Sequence, residues 1–377
     1  MSMSYDVIIV GARCAGSPTA MLLARKGYRV LLVDKATFPS DTISTHLVHP
    51  PGIAALKRWG LLEQLAATGC PPVQTYTFDF GPFVICGSPR PIDGVSTAYG
   101  PRRIVLDALL VHAAVEAGAE FREAFTVDEI LVEDGRVTGI RGHARGGASV
   151  IERARVVVGA DGRYSVVAKT VQPPRYHERP PLETGYYAYW SGVPTHGFEA
   201  YTRPSRMCAA IPTNGGLTCV VVIWPRSEFK TNRGSIERNY LETLQQAPQL
   251  AERVRVGARQ TRFVGTADLS NFFRQPYGPG WALVGDAGYL KDRLPGRESV
   301  TPSATLNFSP TPSTTRSLAG AHSTTRWLTT SECVTTQRCR CSTSHASSPR
   351  WSPFRRKCGS CSTRCTATKR QWTASSA

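Results

Sequence analysis

The sequence predicts an α/β chain: a doubly wound parallel sheet, interrupted by a mostly antiparallel one and followed by an irregular C-terminal region. Three observations carry this. Short β-branched runs ending in glycine alternate with helix-length amphipathic stretches over the first 175 residues. Aromatic, strand-like runs dominate residues 180–275. Beyond residue 292 the periodicity stops, and 32 of the last 85 residues are Ser or Thr.

The elements follow in order. YDVIIVGA (5–12) reads as a buried parallel strand. SPTAMLLARKG (17–27) has helical spacing and a terminal glycine placed to cap it. YRVLLVDK (28–35) is a second strand and completes a βαβ unit. GIAALKRWGLLEQLAATG (52–69) reads as an amphipathic helix, and RRIVLDALLVHAAVEAGAEF (102–121) as another that runs into a strand. VDEILVEDGRVTGIRGH (127–143) has Asp134-Gly135 between alternating apolar residues, the mark of a hairpin. ARVVVGADG (154–162) is a buried strand feeding a turn. ETGYYAYWSGVP, CAAIPT and LTCVVVIWP supply the antiparallel sheet, and GWALVGDAG (280–288) returns to the first one. The expected division is residues 1–175, first part of the parallel-sheet domain; 176–275, the antiparallel domain; 276–292, a return segment of the first; and 293–377, a low-complexity basic tail.

The chain of 377 residues carries a formal charge of +17. The tail contributes 13 Lys and Arg against 2 Glu, so most of the excess charge is local to it. The charge is therefore no argument for a nucleic-acid partner. Cys14, Cys70, Cys86, Cys208 and Cys219 are scattered singly, as reduced cytoplasmic thiols are, and the other six cysteines crowd into residues 333–365. No apolar run reaches the roughly 18 residues of a membrane span. The N-terminal run has no charged leader or cleavage site, so it reads as a strand. The expected location is the cytoplasm; the oligomeric state is open.

Three short motifs carry chemistry. VGARCAGS lies between the first strand and the first helix. A dinucleotide fingerprint wants glycines for the tight turn, for close approach to the pyrophosphate, and for helix–strand packing. Gly11 and Gly16 fill the first and third roles, with Ala15 beside Gly16. Arg13 replaces the middle glycine: its Cβ crowds the pyrophosphate, while its guanidinium is able to contact it. Asp34 closes the second strand and is placed to accept hydrogen bonds from a ribose hydroxyl. Asp161-Gly162 and Gly285-Asp286 each follow a buried strand, and acids at such ends point into the crevice where open α/β sheets bind ligands. Either alone reads equally as a turn or cap aspartate.

With GARCAG, GADGRYS and GDAGYLKD together, residues 1–292 resemble the flavoprotein monooxygenases of the p-hydroxybenzoate hydroxylase class and the related geranylgeranyl-reductase-like flavoproteins. The resemblance implies a Rossmann-like FAD-binding domain with an antiparallel substrate domain. It implies that Gly11 and Gly16 hold the FAD pyrophosphate, that Asp34 holds the adenosine ribose, and that Gly285-Asp286 holds the ribityl chain. Asp161 and Gly162 would serve FAD and, in many members, the nicotinamide cofactor. Arg103, three residues before Leu106-Asp107, corresponds to an arginine near the flavin. NADH or NADPH would be the reductant, O2 the co-substrate of a monooxygenase, and an apolar or aromatic small molecule the substrate. The alternatives are reduction of isoprenoid double bonds and a catalytically impaired flavoprotein. No metal site is expected.

Tyr186, Tyr187, Tyr189 and Trp190 read either as the lining of an apolar pocket or as sheet core. His46 and His49 are candidates for the flavin's neighbourhood, against an ordinary structural role. VIWPR lacks the Trp-x-Trp-x-Ile-Pro signature of flavin halogenases.

In the same family the third motif continues into a helix that faces the flavin. Here RLPGRESVTPSAT follows instead. Read one base earlier, with permitted third bases, Arg297 to Phe308 can encode Gln-Gly-Ile-Ser-Asp-Ala-Phe-Arg-Asp-Ala-Glu-Leu, which is that helix. Residues 293–377 are therefore expected to be an out-of-frame translation. The competing readings are a genuine disordered basic tail and a small metal module built on Cys358, Cys361 and Cys365, which lack paired zinc-ligand spacing.

Overall fold

The computed structural model describes residues 4–268 and 270–290. Its parallel sheet grows from the N-terminal βαβ unit. Tyr5–Val10 sits at the centre, parallel to Val30–Val33 on one side and to Ser149–Gly159 on the other. Glu120–Arg122 extends the sheet beyond Val30–Val33, and Trp281–Leu283 extends it beyond Ser149–Gly159. The chain thus leaves for the antiparallel domain after Ser149–Gly159 and returns to add its last parallel strand, Trp281–Leu283, beside it.

Both faces of this sheet are covered, which is why its central strands are apolar throughout. Alternation sorts them. Val7, Ile9, Val30 and Leu32 pack with Met21, Ile53, Leu56, Leu106 and Leu110 from the helices. Ile8, Val10, Leu31 and Val33 pack with Phe125, Ile130, Ile140 and Val167 on the opposite face. Ile8, Ile9, Leu31 and Leu32 are wholly buried, each worth about 1.5–3 kcal/mol relative to exposure. The hairpin Phe125–Glu133 with Arg136–Ala144 turns at Asp134 and Gly135, both with positive φ, as a tight two-residue turn requires.

The 52–69 stretch is two helices, Pro50–Trp59 and Leu62–Ala67. Gly60 adopts φ +78° and ends the first in a left-handed cap, a break that an uninterrupted apolar pattern hides. The 102–121 stretch forms the helix Arg103–Glu116 and the strand Glu120–Arg122.

The second large sheet runs in the order Ala258–Arg259, Glu183–Ser191, Thr218–Pro225, Arg206–Pro212, Phe198–Arg203, Tyr76–Asp79, Val84–Gly87. It is antiparallel except where Phe198–Arg203 meets Tyr76–Asp79. Two of its strands therefore come from within residues 1–175. The helices Ile236–Leu244 and Pro248–Val256 supply much of the core on one face. A third, three-stranded sheet joins Arg175–Arg179, Asn271–Arg274 and Tyr289–Leu290.

Candidate cofactor site

Register brings the three motifs to one edge. Val10 pairs with Val33 and with Gly159, and Gly159 pairs with Leu283. Four parallel strands end on one row, so Gly11, Asp34, Asp161 and Gly285-Asp286 each follow it by one to three residues.

The glycine turn is tight. Gly11 has φ +103°, and a Cβ there would stand 2.5 Å from the Ala160 carbonyl oxygen. A Cβ on Gly16 would stand 1.7 Å from the Gly11 carbonyl oxygen. Gly16–Ala24 begins here with Ala15 as its N-cap; no side chain caps it and no acid lies in its first turn. Its positive dipole end is thus left to an anion. Gly285, at φ +59°, closes on this turn: a Cβ there would lie 2.7 Å from the Ala15 Cβ.

Asp34 is nearly buried. Its Oδ2 accepts from the Ala12 N–H at 2.7 Å and its Oδ1 from the Ala36 N–H at 2.8 Å. A carboxylate has about four acceptor positions, so capacity remains for ribose hydroxyls. Asp161 Oδ2 accepts from the Val166 N–H at 2.7 Å. Burial raises the Asp161 pKa, hydrogen bonds from Ser165 and Val166 oppose the rise, and the nearby Asp34 charge adds to it. Gly162 follows at φ +78° in an open position.

Asp107, fully buried on the helix Arg103–Glu116, is the hub of the site. Its Oδ2 accepts from Arg13 Nη1 at 2.7 Å, and its Oδ1 from Arg103 Nε at 2.9 Å and Cys14 Sγ at 3.2 Å. Burial pushes the Cys14 thiol up to about 12, so it stays protonated. Burial works against the Arg103 charge, but the Asp107 and Asp286 carboxylates outweigh it and raise its pKa, which places Asp286 in the guanidinium's surroundings. Arg13 also reaches Ser40, with Nη2 to Oγ at 3.0 Å, and lies 5.4 Å from the Phe38 ring centre. Its guanidinium is thus drawn to the helix and the loop after Asp34.

Sequence reading passed over Asp107's role, Ser40 and Arg274. Arg274 is buried, donates to the Ala287 carbonyl at 2.7 Å, and stacks 4.5 Å from the Phe272 ring centre. Burial lowers its pKa and the nearby Arg175 adds to that, while the Asp161 charge opposes it, so it sits behind both acid motifs. Its position in a strand followed by no glycine gave no signal.

The four aromatic candidates separate by alternation. Tyr186 and Trp190 pack into the helix-covered face with Trp224, Tyr240 and Leu250. Tyr187 and Tyr189 point to the other face, with Leu47, Ile211 and Val221. There a shallow cleft is lined by Ile43, Glu183, Gly185, Tyr187, Val221, Ile223 and Thr266. His46 is buried with φ +64°, its Nε2 2.6 Å from the Tyr189 hydroxyl, its ring edge-on to Tyr187. His49 Nδ1 lies 2.8 Å from the Tyr76 hydroxyl, and burial lowers its pKa.

Residues 4–288 match the FAD binding domain family. The chain belongs to that family. It is a family of flavoenzymes whose members include FAD-dependent monooxygenases, halogenases and reductases. The chain is 25% identical over 307 residues to a 1H-pyrrole-2-carbonyl-[peptidyl-carrier protein] brominase of Pseudoalteromonas luteoviolacea, covering 77% of this chain and 72% of the relative. It is 32% identical over 174 residues to digeranylgeranylglycerophospholipid reductase 2 of Methanopyrus kandleri, covering 45% and 40%. It is 32% identical over 168 residues to the 6-methylpretetramide 4-monooxygenase of Streptomyces rimosus, covering 44% and 40%. The chain thus spans well under half of the reductase and the monooxygenase. Among solved structures, the myxobacterial chondrochloren halogenase shares the fold, with a TM-score of 0.71 at 24% identity over 78% of this chain and 70% of that one.

The residues suit FAD. The glycine turn leaves an uncapped helix end for the pyrophosphate, Asp34 keeps acceptor capacity, and Arg13, Arg103 and Asp107 together leave one positive charge beside the turn. Among the described residues no helix is long and apolar enough to cross a membrane. The cysteines of the suggested metal module and the segment attributed to a frame shift lie outside the described residues.

Proposed function

We propose that this chain is an NAD(P)H-dependent, FAD-bearing monooxygenase acting on an apolar or aromatic small molecule in the cytoplasm. The observation that supports it best is that the glycine turn, Asp34, Asp161 and Asp286 share one sheet edge in a chain of the FAD binding domain family; on the substrate side a shallow cleft lies against Tyr187. Ile43, Val221 and Ile223 make three of its walls apolar, while Glu183 and Thr266 supply a few polar atoms for orientation. In this reading residues 1–175 and 276–292 hold FAD, and residues 176–275 with the strands of 76–87 form the substrate side.

Gly11, Gly16, Ala15, the Arg13 backbone and the amides of the first helical turn would receive the pyrophosphate, with Arg103 supplying positive charge beside it. Asp34 would accept from the ribose, Asp286 would bind the ribityl chain, and Asp161-Gly162 would serve FAD and the nicotinamide reductant. When bound, FAD would accept electrons from NADH or NADPH and pass them to O2. The protein's own task is to hold substrate on the Tyr187 face and keep water from the reacting atoms. His46, held by the Tyr189 hydroxyl, buttresses that face.

A second reading, reduction of isoprenoid double bonds, rests on the 32% identity to the reductase of Methanopyrus kandleri. A halogenase reading has the likeness to the brominase over 77% of this chain behind it, and the lack of the Trp-x-Trp-x-Ile-Pro signature at VIWPR against it. The deciding experiment loads the full chain with FAD and follows NADH and NADPH oxidation under O2. Oxidation stimulated by phenolic or apolar aromatic compounds, with oxygenated product by mass spectrometry, is expected. Stimulation only by isoprenoid alkenes, with product gaining two hydrogens, would transfer the assignment to the reductase. A chain that takes up no FAD would favour the impaired reading.

A further inference from the structure

We infer that Asp107 is the positioning residue that lets this chain carry an arginine at the middle position of its glycine fingerprint. It does so by holding the Arg13 guanidinium as an internal ion pair, leaving the position-13 backbone to face the cofactor. The inference rests on FAD occupying the turn.

A glycine is called for at that position for one of two reasons: a positive φ, or close approach of a ligand to the backbone. Arg13 is not among the residues with positive φ, so the conformation tolerates a side chain and only ligand approach is at issue. An unrestrained arginine would sweep the space the pyrophosphate needs. Here three protein oxygens accept from the guanidinium. Nη1 donates to Asp107 Oδ2 at 2.7 Å and to the Ser40 carbonyl at 3.4 Å; Nη2 donates to Ser40 Oγ at 3.0 Å. The Phe38 ring lies 5.4 Å from the guanidinium carbon.

Asp107 is suited to this role. It has no exposed surface, and its second oxygen is held by Arg103 at 2.9 Å and the Cys14 thiol at 3.2 Å. One carboxylate therefore fixes two guanidiniums, one on the turn and one on the helix. A buried carboxylate removed from such a set leaves its cations uncompensated. Loss of Asp107 releases both arginines against each other beside the anion site. Loss of Arg13 leaves Asp107 still paired with Arg103.

The pattern of single and double substitutions follows. FAD affinity of the full chain is measured by quenching of flavin fluorescence, and the unfolding midpoint without FAD is read in parallel. Asp107→Asn, which keeps an acceptor for Arg103, should weaken FAD about tenfold or more, Arg13→Ala no more than about threefold, and the double variant should return to within about threefold of the parent, a strong departure from additivity. The midpoints should follow the same order, with Asp107→Asn lowest and the double variant recovered. Three results would overturn the inference: a double variant no better than Asp107→Asn, Arg13→Ala alone costing tenfold, or Asp107→Asn without effect. The second means that Arg13 touches the cofactor itself. Should the parent bind no FAD, the FAD reading fails on that measurement, while the midpoints without FAD still test the ion pair.

Discussion

Gly16→Ala is the sharpest test of how the site is built. The new Cβ would stand 1.7 Å from the Gly11 carbonyl oxygen, half of the 3.4 Å at which ordinary contact begins. The obstacle is backbone, so no side-chain rotation relieves it. The first helix must lift from the strand end or the turn must open. Overpacking of this kind costs about 3 kcal/mol, the upper part of its usual range. For a folded region of this size that lowers the unfolding midpoint by about 6 °C, at about 2 °C per kcal/mol. Because the displaced amides are those offered to the pyrophosphate, FAD affinity should fall about a hundredfold, or about 2.7 kcal/mol. Thermal unfolding of the chain without FAD and a fluorescence titration with FAD read the two effects separately. Gly27→Ala is the control: φ is +84° and nothing lies within 4 Å of its added Cβ. It should cost only the left-handed conformation, about 1 kcal/mol, with FAD affinity unchanged. A Gly16→Ala chain that unfolds and titrates like the parent would refute the reasoning. So would a Gly27→Ala chain equally defective toward FAD.

Other outcomes follow from the same geometry. The Asp161 pKa is raised in the folded chain, first by burial, so the folded state holds a proton that the unfolded state has released. Stability from this group is present at low pH and lost as pH rises through the window above the ordinary carboxylate value, 3.8. Asp161→Asn should therefore raise the unfolding midpoint without FAD at neutral pH and flatten its acid-side pH dependence, while weakening FAD; a lowered midpoint at pH 7 contradicts this. Val220 and Val221 are neighbours on opposite faces of one strand, the first in the helix-covered core and the second on the cleft. Val220→Ala should cost about 2 kcal/mol of stability with KM for the stimulating substrate unchanged, and Val221→Ala should move KM; equal effects on KM would dissociate the cleft from substrate. Sequencing the gene across the codons for Lys291 to Val300 should reveal a one-base shift that restores Gln-Gly-Ile-Ser-Asp-Ala-Phe; an unshifted frame there removes that account of the tail.

What the sequence showed, and what it hid, divides along a physical line. Backbone-determined features were legible. The strand runs, the glycine turn and the two acid motifs are local patterns, and parallel register does the rest. Once Val10 pairs with both Val33 and Gly159, and Gly159 with Leu283, acids one to three residues further on have a common edge to occupy. Alternation likewise separates Tyr186 and Trp190 from Tyr187 and Tyr189, although their aromatic character alone did not say that Tyr187 meets the cleft. Long-range electrostatics were not legible. Asp107 lies 94 residues from Arg13, and its hold on that guanidinium depends on how the helix Arg103–Glu116 packs against the first one. The sequence offered two uses for Arg13, crowding the anion or contacting it. The fold adds a third, engagement with a buried carboxylate. That placement makes the missing glycine intelligible: a fingerprint position can tolerate a long cation when the fold supplies a buried counter-ion to take its charge elsewhere.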